Sequence, residues 1–265
     1  MDDGAIAMSW QSLTQHTVAD AVRGAGIDAP PRFVEVTGST NSDLLRLAAE
    51  GASEWTVLVA GHQQAGRGRL GRSWVSVPGQ SLLASVLLRP RVEAEGAPLL
   101  TLAAGLAMAE ACREECGVPV RCKWPNDLMA GGRKLGGILA EAVFQGGRLA
   151  HVVVGAGVNL LQRKGDFPPE LSGLATSVAI EGGRPDASPL LEGYLTRLKD
   201  VLASEDVVAR YRPLSDTIGR SVRATAANGR TVGGVAEDVG PQGELLVRTR
   251  SGVEVVTFGE VVHLE

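Results

Sequence analysis

At 265 residues, 44% of them hydrophobic and 21% charged, the chain is long enough for one large core with an added module and too apolar for wholesale disorder. A formal net charge of −4 argues against a generally basic nucleic-acid binder, so any polyanion must meet a local site. Cys112, Cys116 and Cys122 lack C-x-x-C spacing and neighbouring histidines, which points away from a disulfide framework or a zinc site and fits a reducing cytoplasm.

In chain order, the opening MDDGAIAMSW carries acids where a secretory signal carries bases. Residues 8 to 26 read as one short helix, and FVEVTGST starts the compact body as a strand and turn. Thr40 and Asp43 stand in T-x-x-D order ahead of Leu44, Leu45 and Leu47, a capping-box signature for a helix start. TVLVAG (56–61) and SLLASVLL (81–88) are expected buried strands, so the segment between them is a connection. Leu99 to Cys116 is a helix; its apolar run is interrupted by Glu110 and falls short of the roughly 18 residues needed to span a bilayer. ILAEAVF (138–144) and LAHVVVGAGVNL (149–160) form a plausible hairpin across QGGR. Glycine and proline mark loops from 161 to 189, after which Leu191, Leu195, Leu198 and Leu202 share one face of a helix over 188–204. Beyond a boundary near 216, short β-rich runs separated by Asn228-Gly229, GPQG and Ser251-Gly252 suggest a small closed barrel.

The connection between the first two buried strands contains GRGRLGRSW, residues 66–74. It matches G-x-G-x-x-G, yet a β run follows where that fingerprint needs a helix; as a P-loop it has Arg72 in place of lysine and again no helix. What remains is chemistry: guanidiniums at 67, 69 and 72 offer forked donors to phosphate or carboxylate, and the glycines admit close backbone approach. Mutual repulsion and glycine freedom predict a loop that orders around an anion. Taken alone, such a cluster reads better as a solvated, charged surface loop.

The neighbours decide between these readings. Ser39-Thr40-Asn41, QQAGRGRLGRSW, KWPNDL (123–128), RKLGGIL (133–139) and GAGVN (155–159) stand in the order and with spacing like that of the biotin protein ligases, which the chain resembles from about Thr37 to its C-terminus. The resemblance implies an α+β fold: a mixed, largely antiparallel sheet with flanking helices, like that of class II aminoacyl-tRNA synthetases, over 1–215, and an SH3-like barrel over 216–265. It implies an ATP-dependent ligase that makes biotinyl-5′-AMP and pyrophosphate, then transfers biotin to a lysine of a carboxyl carrier protein, with Mg²⁺ accompanying ATP and the metal ligands left open. No covalent enzyme nucleophile is needed, because phosphoryl transfer rests on positioning and charge neutralisation.

By the same resemblance, Ser39, Thr40, Asn41, Gln63 and Gly66 belong to the biotin site, with Gly136 and Gly137 admitting close approach. Arg67 and Arg69 hold the carboxylate and α-phosphate, Arg72 supports the loop or the nucleotide, and Lys134 sits between the reactants as the leading catalytic candidate. Trp74 covers adenine, while Lys123, Asn126 and Asn159 join the adenylate site; Asp127 is a candidate to receive the acceptor lysine's proton, with a structural or Mg²⁺-linked role equally open. A buried core position is the plain alternative for Trp74 and Trp124. Two other activities compete: a lipoate or octanoate ligase, whose arginine-arginine, triple-glycine and histidine-aspartate pattern is absent, and a biotin-sensing protein without catalysis. A DNA-binding repressor is disfavoured because the segment before Phe33 offers one helix and no recognition helix or wing. Neither nucleic acid nor membrane is expected as a partner, and the oligomeric state is open.

Overall fold

The computed structural model describes residues 13–90, 97–146, 148–226, 228–257 and 259–264. Within them, β1 (Arg32–Thr37), β2 (Val57–Gln63), β3 (Ser81–Leu88), β4 (Arg121–Lys123), β5 (Asp127–Ala130), β6 (Arg133–Gln145) and β7 (Arg148–Asn159) form one sheet in the order β1-β2-β3-β7-β6-β5-β4. β1 and β2 pair in parallel and every other pair is antiparallel, the mixed, largely antiparallel sheet expected. All eight residues of β3 are buried because both its faces are covered, which is why its sequence is a continuous apolar run instead of an alternation.

The two faces of the sheet have different fates. Leu82, Ala84, Val86 and Leu88 of β3, with Val152, Val154, Ala156 and Val158 of β7, point into the main core, which also holds residues of α1 (Gln15–Gly24), α3 (Ala97–Ala111) and α4 (Ala187–Leu202). α3 is apolar on all sides and therefore sits inside; Leu191, Leu195 and Leu198 of α4 are fully buried, as their spacing predicts. The opposite face is covered in part by α2 (Thr40–Ala49), whose Leu44, Leu47 and Ala48 pack with Leu58, Leu87 and Val153.

Several expectations are adjusted. α1 is part of the helix expected over 8–26, of which 8–12 lie outside the described residues. The 99–116 helix is α3 continued by a π turn over Cys112–Cys116 and stopped by Gly117 at φ 72°. β6 begins at Arg133, five residues before the expected start, and the short β4–β5 hairpin and α5 (Val207–Tyr211) were not foreseen. The capping box at Thr40 is not formed: Ser39 is the N-cap, the Thr40 hydroxyl is directed to Gln63 and Ser85, and Asp43 accepts from the Thr37 hydroxyl.

After 216, β8 (Ser221–Ala226), β9 (Thr231–Val239), β10 (Leu245–Thr249), β11 (Gly252–Val256) and β12 (Gly259–His263) make an antiparallel sheet in the order β11-β10-β9-β8-β12. The closed barrel expected there is corrected to an open sheet: β11 and β12 occupy opposite edges and do not pair. The edges are nevertheless drawn together, since Val256 and Gly259 are three peptide steps apart and so within about 11 Å. The sheet curls, but the last ladder is missing.

Trp124, 2% exposed, fastens the two sheets: its indole N–H donates to Gly243 O at 2.9 Å and its backbone N–H to Thr217 Oγ1 at 2.9 Å. For this tryptophan the core reading holds. The three cysteines are unpaired and buried; burial pushes the Cys122 thiol up to about 12, and a hydrogen bond with Cys116 together with burial holds the Cys112 thiol well above its ordinary range. Iodoacetamide at pH 8 is expected to modify none of them in the folded protein and all three in denaturant, as read by intact mass.

Candidate functional site

The sheet face shared with α2 carries the site, because period-two alternation brings one set of side chains there. Across the central strands the register aligns Leu87 with Val153 and Glu141, Ser85 with Gly155 and Leu139, and Leu83 with Gly157, Gly137 and Asp127. The first row carries the apolar contact with α2; in the next two, glycines replace side chains and the floor drops. A cavity of about 480 Å³ results, within the range of small-molecule sites.

The glycines are required by what lies on them. A Cβ at Gly155 would stand 2.2 Å from Asn41 Oδ1, and one at Gly157 would stand 2.8 Å from the Trp74 indole. Asn41 cannot swing aside: its amide donates to Leu139 O at 3.1 Å and Glu141 Oε2 at 2.7 Å, and its Oδ1 lies 2.6 Å from the Ser85 hydroxyl. Gly155→Ala is therefore expected to lower stability by about 1–3 kcal/mol, measured as a fall in the urea midpoint at unchanged slope. Of the other glycines singled out, Gly137 lines the cavity, whereas Gly66 and Gly136 lie behind it, against Trp74 O and Gly157 O respectively.

One group of lining residues is polar and neutral. Ser39, Thr40, Asn41 and Gln63 line the cavity together because α2 starts at this spot and β2 ends beside it. Gln63 Oε1 accepts from the Thr40 backbone N–H at 2.7 Å and lies 2.9 Å from its hydroxyl, which fixes the amide and leaves Gln63 Nε2 as a donor among the lining groups. Ser39 makes no capping bond with its side chain and is 6% exposed.

A second group of lining residues is cationic. Arg67, Arg69, Arg72, Lys123 and Lys134 line the cavity, against the carboxylates of Asp127 and Glu260. Each loop arginine has an anchor: Arg67 Nη2 donates to Glu141 at 2.6 Å, Arg69 Nη1 to Gly259 O at 3.0 Å and Asn126 Oδ1 at 3.5 Å, and Arg72 pairs with Glu260. The last two tie the loop to β12, so the C-terminal sheet completes a wall of the site. Burial, with the neighbouring Arg72 guanidinium, lowers the Arg69 pKa below its ordinary value while Asp127 opposes the shift.

Lys134 Nζ lies 2.6 Å from Asp127 Oδ1. A bulge between Leu128 and Met129 lets Leu135 bury itself while Lys134 stays at the cavity, and the Lys134 backbone is gripped by Leu174 O at 2.8 Å and the Thr176 N–H at 2.9 Å. Asn126 and Asn159 line the cavity but donate their amides to Ile138 O and Thr176 O, both at 2.9 Å, so they brace the walls. Trp74 rests on Gly157, and its buried indole N–H has no hydrogen-bond partner among the described residues. Sequence reasoning missed Glu141, Glu260 and the loop residues Phe167, Leu171 and Leu174. The last three are apolar residues in a glycine- and proline-rich stretch, the one signal that could have marked them.

Residues 33–159 match the biotin/lipoate A/B protein ligase family, and residues 217–264 match the biotin protein ligase C terminal domain. The chain is similar to a biotin–acetyl-CoA-carboxylase ligase of Mycobacterium tuberculosis, with 38% identity over 264 residues covering 95% of this chain and 96% of that protein. It is also similar to the bifunctional ligase/repressor BirA of Escherichia coli, 32% identical over 231 residues, which span 85% of this chain and 72% of that protein. Among solved structures, the biotin protein ligase from Aquifex aeolicus in complex with biotin and ATP superposes with a TM-score of 0.72 at 28% identity, covering 88% of this chain and 98% of that one. No helix among the described residues is long and apolar enough to cross a membrane.

Proposed function

Because the chain belongs to the biotin protein ligase family, we propose that it activates biotin with ATP to biotinyl-5′-AMP, releasing pyrophosphate, and transfers the biotinyl group to a lysine of a carboxylase's carboxyl carrier protein. The observation that carries this reading is one cavity lined both by the neutral polar side chains of Ser39, Thr40 and Gln63 and by five cations. The first set suits a ureido group, which needs both donors and acceptors in an apolar surround. The second suits two anions that must be brought together, a carboxylate and a triphosphate.

In this reading Arg67 receives the carboxylate, Lys134 lies between carboxylate and α-phosphate, and Arg69, Arg72 and Lys123 take the nucleotide phosphates, with Trp74 against adenine. Lys134 neutralises the attacking oxygen and the pentavalent centre as charge accumulates between them. Asp127 aims the Lys134 ammonium from 2.6 Å and is the carboxylate that receives the acceptor lysine's proton in the second step. Asn41, Asn126 and Asn159 hold walls, and Gly66, Gly136 and Gly137 let strands and loop close up. The catalytic unit is 1–215 and the second unit 216–265, meeting at the arginine loop.

Mg²⁺ would accompany the nucleotide and help neutralise its phosphates. The donor set favours this: both cavity carboxylates are ion-paired, and no cluster of three or more His, Cys, Asp or Glu side chains able to hold a metal occurs among the described residues. Unpaired buried thiols accord with a cytoplasmic location. Biotin-dependent exchange of radiolabelled pyrophosphate into ATP tests the first step directly. Exchange supported by lipoate or octanoate but not by biotin would transfer the chain to the other branch of the family, and no exchange with any of these acids would leave a binding protein.

A further inference from the structure

Glu141 belongs to none of the motifs that marked the site, yet two of its systems meet at this carboxylate. Its Oε2 accepts from Arg67 Nη2 at 2.6 Å and from Asn41 Nδ2 at 2.7 Å. Both amide protons of Asn41 are used, on Glu141 and Leu139 O, so Asn41 Oδ1 needs a donor, and the Ser85 hydroxyl at 2.6 Å supplies it. The Ser85 hydroxyl also lies 2.7 Å from Thr40 Oγ1, whose own proton goes to Gln63 Oε1. A hydrogen-bonded network thus joins Thr40, Ser85, Asn41 and Glu141, where Arg67 arrives from the other side.

We infer that Glu141 is a positioning residue that makes the site select a carboxylate-bearing acid: it fixes the Arg67 guanidinium against the sheet so that the remaining donors meet the substrate's carboxylate. The inference rests on the biotin-activating reading above. A guanidinium has five N–H donors, and Glu141 engages Nη2 alone, so Arg67 keeps most of its fork for the ligand. A neutral acceptor would hold the fork more weakly than a carboxylate, whose bond to the guanidinium is charge-assisted. Arg67 shares its short loop with Arg69 and Arg72 and its cavity with Lys134, and an anion behind it offsets that repulsion. Arg67 is also the loop arginine tied to the large sheet, while Arg69 and Arg72 are tied to β12.

The test compares biotin with its uncharged methyl ester, by calorimetry on the full chain and on Glu141→Gln, which keeps the shape and an acceptor for Asn41 but removes the charge. The readout is the ratio of the two dissociation constants, because a partly misfolded preparation weakens both ligands alike. The preference for the acid over the ester is expected to fall about tenfold in Glu141→Gln, with affinity for the ester unchanged within twofold. Glu141→Asp, which retains the charge, is expected to keep more of the preference than Glu141→Gln. Equal losses for acid and ester, or an unaltered preference, would overturn the inference while leaving the biotin reading intact. A wild-type chain that binds neither compound would remove that reading and the inference with it.

Discussion

Lys134→Ala is expected to slow formation of biotinyl-5′-AMP by about 10²–10³-fold while weakening ATP binding far less. The split follows from when the charge is needed. Before reaction, the triphosphate has Arg69, Arg72 and Lys123 within the same cavity, so one lysine is a modest part of its binding. At the transition state the attacking carboxylate and the phosphorus oxygens share one region, and the group placed there is the ammonium that Asp127 steadies. Its backbone is held from both sides by Leu174 and Thr176, so the position does not depend on ligand contacts. Single-turnover adenylation at saturating ATP gives the rate, and calorimetry with a non-hydrolysable ATP analogue gives the binding. Equal losses in the two would show that Lys134 acts by ground-state attraction alone. Asp127→Asn serves as the companion variant: a slower transfer of preformed biotinyl-5′-AMP supports its role toward the acceptor lysine, and an unchanged transfer leaves it only the task of aiming Lys134.

Trp124→Ala is expected to cost about 3–5 kcal/mol of stability, the largest effect of any single truncation proposed for this chain. The side chain is 2% exposed and sits where the large sheet meets the C-terminal one, so its loss opens a cavity at a junction that also carries the Gly243 hydrogen bond. Trp124→Phe separates the two contributions, since it retains most of the packing while leaving Gly243 O without its donor; about 1–2 kcal/mol is expected for that change. Urea unfolding followed by far-ultraviolet circular dichroism measures both, avoiding a fluorescence signal that the substitution itself alters. A midpoint for Trp124→Ala within error of wild type would show that the two units meet without relying on this residue.

How far the sequence revealed the molecule depended on the range over which each feature is determined. β3 and β7 were legible because a buried strand needs only its own apolar residues, and the α4 face was legible because helical spacing is local. The Thr40 helix start was placed within one residue but for the wrong reason: the hydroxyl expected to cap the helix is drawn into the cavity by Gln63 and Ser85, partners 23 and 45 positions away. β4 and β5 escaped because strands of three and four residues around a Trp-Pro-Asn turn have no room for a period. Barrel closure was overstated because hairpin signals specify neighbouring pairs and say nothing of whether the first and last edges join.

In the site, residues carried by compact motifs were found: Arg67, Arg69, Arg72, Trp74, Asn126, Asp127 and Lys134 all line one cavity. Glu141 was invisible since one acid in a strand reads as its solvated side, and its partners, Asn41 and Arg67, lie 100 and 74 positions away. Glu260 was hidden for the same reason, its importance arising only where β12 comes to rest beside the loop.

The tether of Arg69 and Arg72 to Gly259 and Glu260 bears on the order in which the protein can mature during synthesis. Gly259 stands 190 positions after Arg69, so this anchor leaves the ribosome long after the guanidinium it restrains has been made. A nascent chain halted in front of β12 already owns its central sheet and its lysine, yet two of its three loop cations still lack their backbone and carboxylate moorings. Competence for chemistry is thereby coupled to the emergence of β12, and a polypeptide cut short before that strand carries an unfinished wall.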